Sequence, residues 1–186
     1  MIQQVIWYCT FRRKKGTKTL TEKLNYTADH DELTGIFNRG KLNKLLHKQY
    51  RLLRTSRGSQ YCICFADIDF FKKINDSYGH NIGDEVLQDV CNIMRDNAPT
   101  NMQIGRGGGE EFALLFVDTT LDESLRTLEK IQYQLSTTLL SSANVRVSLS
   151  FSVVQAKSSE ALDHTLKRAD VLLYKAKQAG RNQIVS

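Results

Sequence analysis

The order of apolar and polar residues along the chain predicts alternating strands and helices. Four segments have the apolar character of strands, near residues 60–68, 102–106, 111–117 and 145–154. Four others carry apolar residues at helical spacing, near residues 38–57, 83–97, 121–141 and 159–179. The second and third strands are joined by a tight turn and therefore predict a hairpin. Strands, a hairpin and interleaved helices indicate an α+β fold rather than a doubly wound sheet.

Details within these segments lead to finer expectations. The strand at 145–154 alternates apolar residues with arginine and serine, which predicts one buried face. Asn38 is suited to cap the helix that follows it. That helix should place five leucines largely on its core face: Leu42, Leu45, Leu46, Leu52 and Leu53. Residues 70–80 are expected to form a loop, and Gly83-Asp84 should open a helix with these residues inward: Val86, Leu87, Val90, Ile93 and Met94.

The N-terminal region carries a different pattern. Residues 2–11 are largely apolar and precede a basic run, so they are too short to span a bilayer and are ordered wrongly for a signal peptide. Residues 1–18 resemble the inner end of a transmembrane helix with its basic flank; the alternatives are a remnant of expression or an irregular strand. The first interpretation predicts a cytoplasmic domain of an inner-membrane protein, attached through its N-terminal part. Residues 19–30 predict a linker helix with one short apolar stripe.

Charge and cysteine content narrow the function classes. The formal net charge is +6, but five basic residues, at positions 12–15 and 18, precede the first acidic residue. The rest of the chain is nearly balanced, so no broad nucleic-acid-binding face is expected. The cysteines include no Cys-x-x-Cys pair, and no histidine stands at metal-ligand spacing. Cys62 and Cys64 should point to one buried face as free thiols.

Candidate chemistry concentrates at the hairpin turn, where residues 106–112 read Arg-Gly-Gly-Gly-Glu-Glu-Phe. Successive glycines permit positive φ and let a ligand approach the main chain. Two carboxylates follow at once, and such a tip suits a hard cation and the phosphates that it carries. An ordinary turn with solvated charges is the alternative. Asp67 places a further carboxylate at the end of a core strand, where an unpaired charge is costly.

Longer stretches around these residues resemble one family. Residues 67–87 read Asp-Ile-Asp-Phe-Phe-Lys-Lys-Ile-Asn-Asp-Ser-Tyr-Gly-His-Asn-Ile-Gly-Asp-Glu-Val-Leu, and residues 108–112 read Gly-Gly-Glu-Glu-Phe. Together they resemble the GGDEF-domain diguanylate cyclases, as a GGEEF variant. Residues 31–39 and 168–182 resemble the opening motif and the last helix of that family. The similarity spans about residues 29–184 in the family's order and spacing, which makes it far more specific than a single short motif.

The resemblance implies both a fold and an activity. The fold would be a central, mostly antiparallel sheet flanked by helices, with the ferredoxin-like core of nucleotide cyclases and polymerase palms. The activity would be condensation of two GTP molecules into cyclic di-GMP with release of two pyrophosphates. Two domains would face each other as a homodimer, because each presents one GTP, and catalysis would rest on positioning and charge neutralisation. Mg²⁺ or Mn²⁺ would be the cofactor, and residues 31–186 would form the catalytic domain.

The resemblance also assigns the catalytic carboxylates to Asp67, Glu110 and Glu111. Asp67, the Ile68 carbonyl and Glu110 would bind the metal, which takes one or two carboxylates together with phosphates. Asp67 and Glu110 are distant in sequence, but the end of the first strand should lie beside the hairpin tip in this fold. Glu111 would be a second ligand or would hold the 3′-hydroxyl, and the sequence does not choose between these roles.

Substrate recognition is assigned in the same way. Asn75 and Asp84 match the positions that read guanine. A carboxylate accepts hydrogen bonds from the N–H groups on the edge of guanine, and adenine lacks that donor edge. His80 lies in the same region. The expected phosphate contacts form a larger set: the backbone amides of Phe70, Phe71 and Lys72, the turn residues Gly108 and Gly109, and the side chains of Lys177 and Arg181. For the last two, a solvated surface position is the alternative, and Arg181 could also serve as a charge at a helix C-terminus.

The chain departs from the family pattern at three places. Gly40 stands where the family commonly carries arginine, which should be a minor change. Gly107 stands where the family usually carries an aromatic residue, which should loosen the hairpin. The Arg-x-x-Asp motif of the product-inhibition site is replaced by a stretch that begins with Pro99 and ends with Met102. The inhibitory site is therefore expected to be absent, without tight feedback by cyclic di-GMP. Two other function classes stay open: a degenerate GTP-binding sensor without turnover, and an interaction module of a membrane receptor.

Overall fold

The computed structural model describes residues 26–55 and 59–186. The predicted membrane-flanking segment, residues 1–18, lies outside the described residues, as does Cys9. Most of the predicted linker helix lies outside them too, although residues 26–29 are helical. Within the described part of the chain, none of the helices combines the length and the apolar character needed to cross a bilayer.

The described residues form strands and helices in a mixed order along the chain. In sequence order they are β1 (Phe37–Asn38), α1 (Arg39–Thr55), β2 (Tyr61–Ile68), α2 (Phe71–Tyr78), α3 (His80–Asp96), β3 (Met102–Gly108), β4 (Glu111–Val117), α4 (Leu121–Thr137), β5 (Leu149–Gln155), α5 (Leu162–Gln178) and β6 (Ile184–Val185). The strands make one sheet in the order β1-β3-β4-β2-β5-β6. Its inner pairs are antiparallel, and only the short edge strands β1 and β6 pair in parallel. The predicted α+β fold with a mostly antiparallel sheet is confirmed.

Each sheet face packs against its own helices. Alternate residues of β2, such as Cys64 and Ile68, join a large apolar cluster with α3 and α4, here called the core face. The intervening residues, such as Tyr61 and Ile63, face α1 and α5 in a smaller apolar cluster, here called the site face. The two-residue period of a strand therefore assigns neighbouring residues to different environments. Asp67 follows the parity of Tyr61 and Ile63 and belongs to the site face.

Several local predictions are confirmed. The side chain of Asn38 accepts a hydrogen bond from the Lys41 amide at 2.9 Å, which is the expected helix cap. All five residues expected on the inner face of α3 are buried. Cys62 and Cys64 are buried free thiols on the core face.

The prediction for the last long strand was wrong in two respects. β5 begins at Leu149, and Val145 makes only an isolated bridge to Leu140. The strand is also buried on both faces, since Ser150 and Ser152 are fully buried beneath the site-face packing of α5. A serine hydroxyl is small and tolerates burial when it finds an acceptor. Ser150 donates to Asp69 at 2.7 Å and meets that condition, whereas the Ser152 hydroxyl has no hydrogen-bond partner within the described residues.

The expected loop at residues 70–80 is mostly the helix α2, and α3 begins at His80 rather than at Gly83. α2 is short and polar in sequence, but it buries Phe71 and Ile74 against the core face. Packing of one apolar side, rather than helix propensity, stabilises such a segment. In α1, Leu52 is exposed instead of lying on the buried side of the helix. The predicted helix ends differ from the observed ones by up to four residues.

Candidate active site

Asp67 lies at the end of β2 on the site face and is 7% exposed. Its carboxylate forms an ion pair with the ammonium of Lys177 on α5, with 2.7 Å between Oδ2 and Nζ. Burial raises the pKa of Asp67 above its usual value; the Lys177 charge opposes this shift, and the charges of Glu110 and Glu111 add to it. The site therefore holds a carboxylate that benefits from a positive partner.

The hairpin tip brings two more carboxylates to the same end of the sheet. Gly108 and Gly109 have φ of 144° and 55°, backbone conformations that glycine adopts without steric cost. Beyond them, Glu111 pairs with Asp67 across β4 and β2. The carbonyl of Glu110 accepts a hydrogen bond from the Ile68 amide at 3.3 Å. The structure thus brings together the segments that sequence reasoning placed around a shared cation.

The chemistry of this donor set fits a hard divalent cation. Carboxylate and carbonyl oxygens are the ligands that Mg²⁺ and Mn²⁺ prefer, and Mg²⁺ usually keeps waters and substrate phosphates among its ligands. Within the described ranges, no group of three or more acidic, histidine or cysteine side chains is gathered closely enough to hold a metal ion on its own. A metal site with few protein ligands, whose remaining ligands come from the nucleotide, agrees with the ligand preference of Mg²⁺ and with the lack of such a cluster within the described ranges.

Arg106 fixes the hairpin tip from the core side of the sheet. Its Nε donates to the Gly109 carbonyl at 2.9 Å, and its guanidinium pairs with Asp31 at 3.1 Å. Burial would raise the pKa of Asp31, but the hydrogen bonds from Thr34 and the Arg106 charge together lower it. Sequence reasoning missed this link. Its only signals were an arginine immediately before the glycines and an acid in the opening motif.

The residues assigned to guanine recognition meet where α2 and α3 join. The side chain of Asn75 lies against Gly83, where an added Cβ would come within 1.9 Å of its Oδ1. A side chain at position 83 would displace Asn75 from this place, and the next residue along α3, Asp84, is exposed. His80 is exposed at the first position of α3. The half-buried amide of Asn75 and the exposed carboxylate of Asp84 therefore both belong to the region where the two helices join.

The phosphate-binding candidates form a second group around the start of α2. Phe70 precedes that helix in a left-handed conformation and is 51% exposed. The first amides of a helix, here those of Phe71 and Lys72, have no acceptor within the helix, and among the described residues no side chain caps this end. Arg181 and Lys73 lie over the Phe70 ring, at 4.4 Å and 4.6 Å from its centroid.

A cleft of about 300 Å³ opens beside Glu111, between α1 and α5. Phe65 and Ala113 form part of its floor, and Gly107 lines it from the hairpin. The backbone does not require glycine at position 107, because a Cβ there would meet Glu111 atoms only at 3.6 Å or more. The residue does leave the cleft open next to the carboxylates.

The positions of the missing inhibitory motif lie away from this site. Met102 is 6% exposed and packs into the core face. Pro99 lies before β3, and its carbonyl accepts a hydrogen bond from the Met102 amide at 2.9 Å. Neither side chain offers a charge to a nucleotide.

Comparison with known proteins gives one consistent family. Residues 28–183 match the family described as "Diguanylate cyclase, GGDEF domain". The chain is 34% identical over 169 residues to diguanylate cyclase DgcM of Escherichia coli K12, covering 91% of this chain and 41% of that protein. It is 36% identical over 187 residues to the response regulator PleD of Caulobacter vibrioides, covering 94% of this chain and 40% of that protein. The chain thus spans about two fifths of the length of these relatives.

The fold has close counterparts among solved structures. The coiled coil and GGDEF domain of DgcB from Caulobacter crescentus, solved with cyclic di-GMP, superposes with a TM-score of 0.85 at 26% identity. That match covers 100% of this chain and 99% of the other. The six-stranded sheet with flanking helices is the fold of these domains, and the chain belongs to the GGDEF family of diguanylate cyclase domains.

Proposed function

We propose that this chain condenses two GTP molecules into cyclic di-GMP and releases two pyrophosphates. The observation that carries the proposal is the convergence of Asp67 with Glu110 and Glu111 at one end of the sheet, where Lys177 already supplies positive charge. Membership of the GGDEF family supports the same reaction. No observation favours a degenerate sensor or a pure interaction module, because the acids and the recognition residues are all present.

The proposed metal ligands are Asp67, the Ile68 carbonyl and Glu110, with Mg²⁺ or Mn²⁺ as the cation. When bound, such an ion stabilises charge on the phosphoryl group and favours ionisation of the attacking hydroxyl. Lys177 neutralises Asp67 in this structure. If a bound cation engaged that carboxylate, the Lys177 ammonium would be available to contact phosphate oxygens.

The remaining candidates divide between the two ends of GTP. Asn75 and Asp84 would read the guanine edge with His80 nearby, and guanine offers donors there that adenine lacks. The triphosphate would rest on a second set: the amides of Phe70, Phe71 and Lys72, the turn residues Gly108 and Gly109, and the Arg181 guanidinium. These donors lie at the start of α2, on the hairpin and in the loop after α5, and fixing the triphosphate from several elements suits catalysis by positioning.

Turnover requires two copies, because each domain would present one GTP. The 3′-hydroxyl of one nucleotide attacks the α-phosphorus of the other, and the bond from that phosphorus to the bridging oxygen of pyrophosphate breaks. Glu111 lies opposite Asp67 and is exposed, so it is suited to hold or deprotonate the hydroxyl. We further propose that residues 31–186 are the catalytic domain. Residues 19–30 would link it to an N-terminal membrane attachment at the cytoplasmic face.

The test is chromatographic separation of cyclic di-GMP and pyrophosphate from GTP across a series of protein concentrations. The proposal predicts product formation that rises faster than linearly with protein and is abolished in Asp67→Asn and Glu110→Gln. GTP binding without product at any concentration would instead establish a sensor. Added cyclic di-GMP should not inhibit at submicromolar concentration, because Pro99 and Met102 replace the charged pair of the inhibitory site.

A further inference from the structure

Asp69 stands two residues after Asp67 but occupies a different environment. It is 5% exposed, and both of its oxygens are already engaged. Oδ2 accepts hydrogen bonds from the Ser148 hydroxyl at 2.7 Å and from the Asn182 amide at 2.9 Å, while Oδ1 accepts from the Ser150 hydroxyl at 2.7 Å. A carboxylate satisfied by three donors is placed as a structural acceptor rather than as an open metal ligand.

One of those donors belongs to an unusual loop after α5. Gly180, Arg181 and Asn182 have successive φ values of 110°, 65° and 49°. The last two are non-glycine residues in the left-handed region, which persists only where surrounding contacts hold it. The Asn182 amide is held by Asp69, and its carbonyl accepts from the Gln132 side chain at 2.8 Å. Asp69 is therefore a buried anchor of this loop.

The loop decides where the Arg181 side chain stands. Its guanidinium lies 4.4 Å from the centroid of the Phe70 ring, and Phe70 is the residue that follows Asp69. Asp69 thus fixes both partners, one through its own main chain and the other through its carboxylate. The Asp69 carboxylate therefore links the start of α2 to the α5–β6 loop, which the Gln132 side chain also holds.

We propose that Asp69 is a positioning residue for GTP binding: it holds the left-handed loop so that Arg181 faces the triphosphate beside the start of α2. The inference rests on the proposed function, in which Arg181 contacts phosphate. It assigns the two acids of the Asp-Ile-Asp sequence separate duties. Asp67 serves the cation, and Asp69 serves the arginine.

A double-mutant cycle on nucleotide affinity tests the proposal. The ligand is 3′-deoxy-GTP, which has the triphosphate but cannot react, and its Kd is measured by calorimetry with Mg²⁺. Asp69→Asn keeps the shape but leaves one acceptor oxygen in place of two, so Kd should rise about tenfold. Arg181→Ala should give a similar rise. The double variant should bind 3′-deoxy-GTP no more weakly than either single variant, because both changes remove the same contact between Arg181 and phosphate.

Several outcomes would overturn the inference. Multiplying effects in the double variant would show that Asp69 acts independently of Arg181, and a changed Mn²⁺ requirement in Asp69→Asn would make it a metal ligand. If Asp69→Asn does not fold, Ser148→Ala removes one donor to the same oxygen. It should weaken binding by a smaller factor that disappears in the Arg181→Ala background, and an unchanged Kd would refute the role.

The readout separates this inference from the proposed function. Coupled Kd values in a protein that makes no cyclic di-GMP would reject the cyclase activity and leave the role of Asp69 intact. Product formation with uncoupled Kd values would reject the role of Asp69 alone. Failure of the wild-type protein to bind 3′-deoxy-GTP would reject both.

Discussion

The two faces of the sheet differ although they are built from the same strands. The core face buries a large, almost wholly apolar cluster against α3 and α4. The site face carries a smaller cluster, an open cleft of about 300 Å³ and the ion pair of Asp67 with Lys177. Along β2, Ile68 packs into the core face while its neighbour Asp67 lies on the site face. Adjacent residues of one strand can therefore serve different purposes, one in stabilising the fold and the other in the candidate active site.

The energetic consequence is that the site face is not optimised for stability. The pKa of Asp67 is raised in the folded state, so the stability contributed by its protonated form is lost as pH rises through that pKa. Above that pKa the Asp67 carboxylate stabilises the fold less than its protonated form does below it. Functional sites commonly retain such groups at the expense of stability.

The largest expected effect is on activity, from a change on the site face. Asp67→Asn should lower kcat/KM by about 1000-fold or more, because the carboxylate that would hold the cation against the phosphoryl group is lost. Its thermal stability at pH 7 should be unchanged or higher, given the raised pKa. The matched control is Glu129→Gln, an exposed acid in the middle of α4, which should leave both properties nearly unchanged. A strong loss of stability in Asp67→Asn would break the separation between the faces.

The next effect is on stability, from a change on the core face. Leu114 is fully buried there, so Leu114→Ala should lower the free energy of unfolding by about 2–5 kcal/mol. The folded fraction, assayed in the cold, should keep near-normal kcat. Leu139 is 47% exposed and provides the control, since Leu139→Ala should change the free energy by about 0.5 kcal/mol or less. Loss of kcat in folded Leu114→Ala would tie chemistry to the core face.

A smaller effect on the free energy of unfolding is expected where Arg106, on the core face, joins Asp31 to the hairpin tip. Asp31→Asn weakens the pair with Arg106 and should cost about 1–2 kcal/mol at pH 7. Because the pKa of Asp31 is lowered from 3.8, its contribution is present above that value and is lost as pH falls through the folded-state pKa. Denaturant titrations from pH 7 downwards should therefore show the difference from wild type shrinking in acid. A difference that is constant with pH would exclude the charge of Asp31 as its cause.

The smallest expected effects are on stability, and they should differ between two adjacent glycines of the hairpin, Gly107 and Gly108. Gly107→Ala should change stability by about 0.5 kcal/mol or less, since neither φ nor contacts forbid a Cβ. Gly108→Ala should cost about 1 kcal/mol or more, because alanine is strained at a φ of 144°. Chemical denaturation of both variants measures the contrast. Equal losses would mean that the turn conformation is not what glycine serves here.

Sequence patterns predicted most of the architecture because its strands and helices follow apolar periodicity. The α2 helix was missed because its residues are largely polar and only Phe71 and Ile74 are buried. Burial of Ser150 and Ser152 was missed because a serine in an alternating strand gives no sign that a helix will cover it. Both depend on tertiary packing, which local periodicity does not encode.

The site was predictable to a similar degree. The family motifs, together with the predicted hairpin, indicated that the end of the strand carrying Asp67 would lie beside Glu110. They did not anticipate the pair of Lys177 with Asp67 or that of Arg106 with Asp31. These contacts join residues far apart in sequence, and no spacing rule connects them. The metal and substrate roles of the individual residues stay predictions.

The most direct test of the shared cation site is Mn²⁺ binding, followed by electron paramagnetic resonance in the presence of 3′-deoxy-GTP. If acids from β2 and from the hairpin hold one ion against the triphosphate, Asp67→Asn and Glu110→Gln should each weaken Mn²⁺ binding by about tenfold or more. Wild-type Mn²⁺ affinity in either variant would contradict that arrangement.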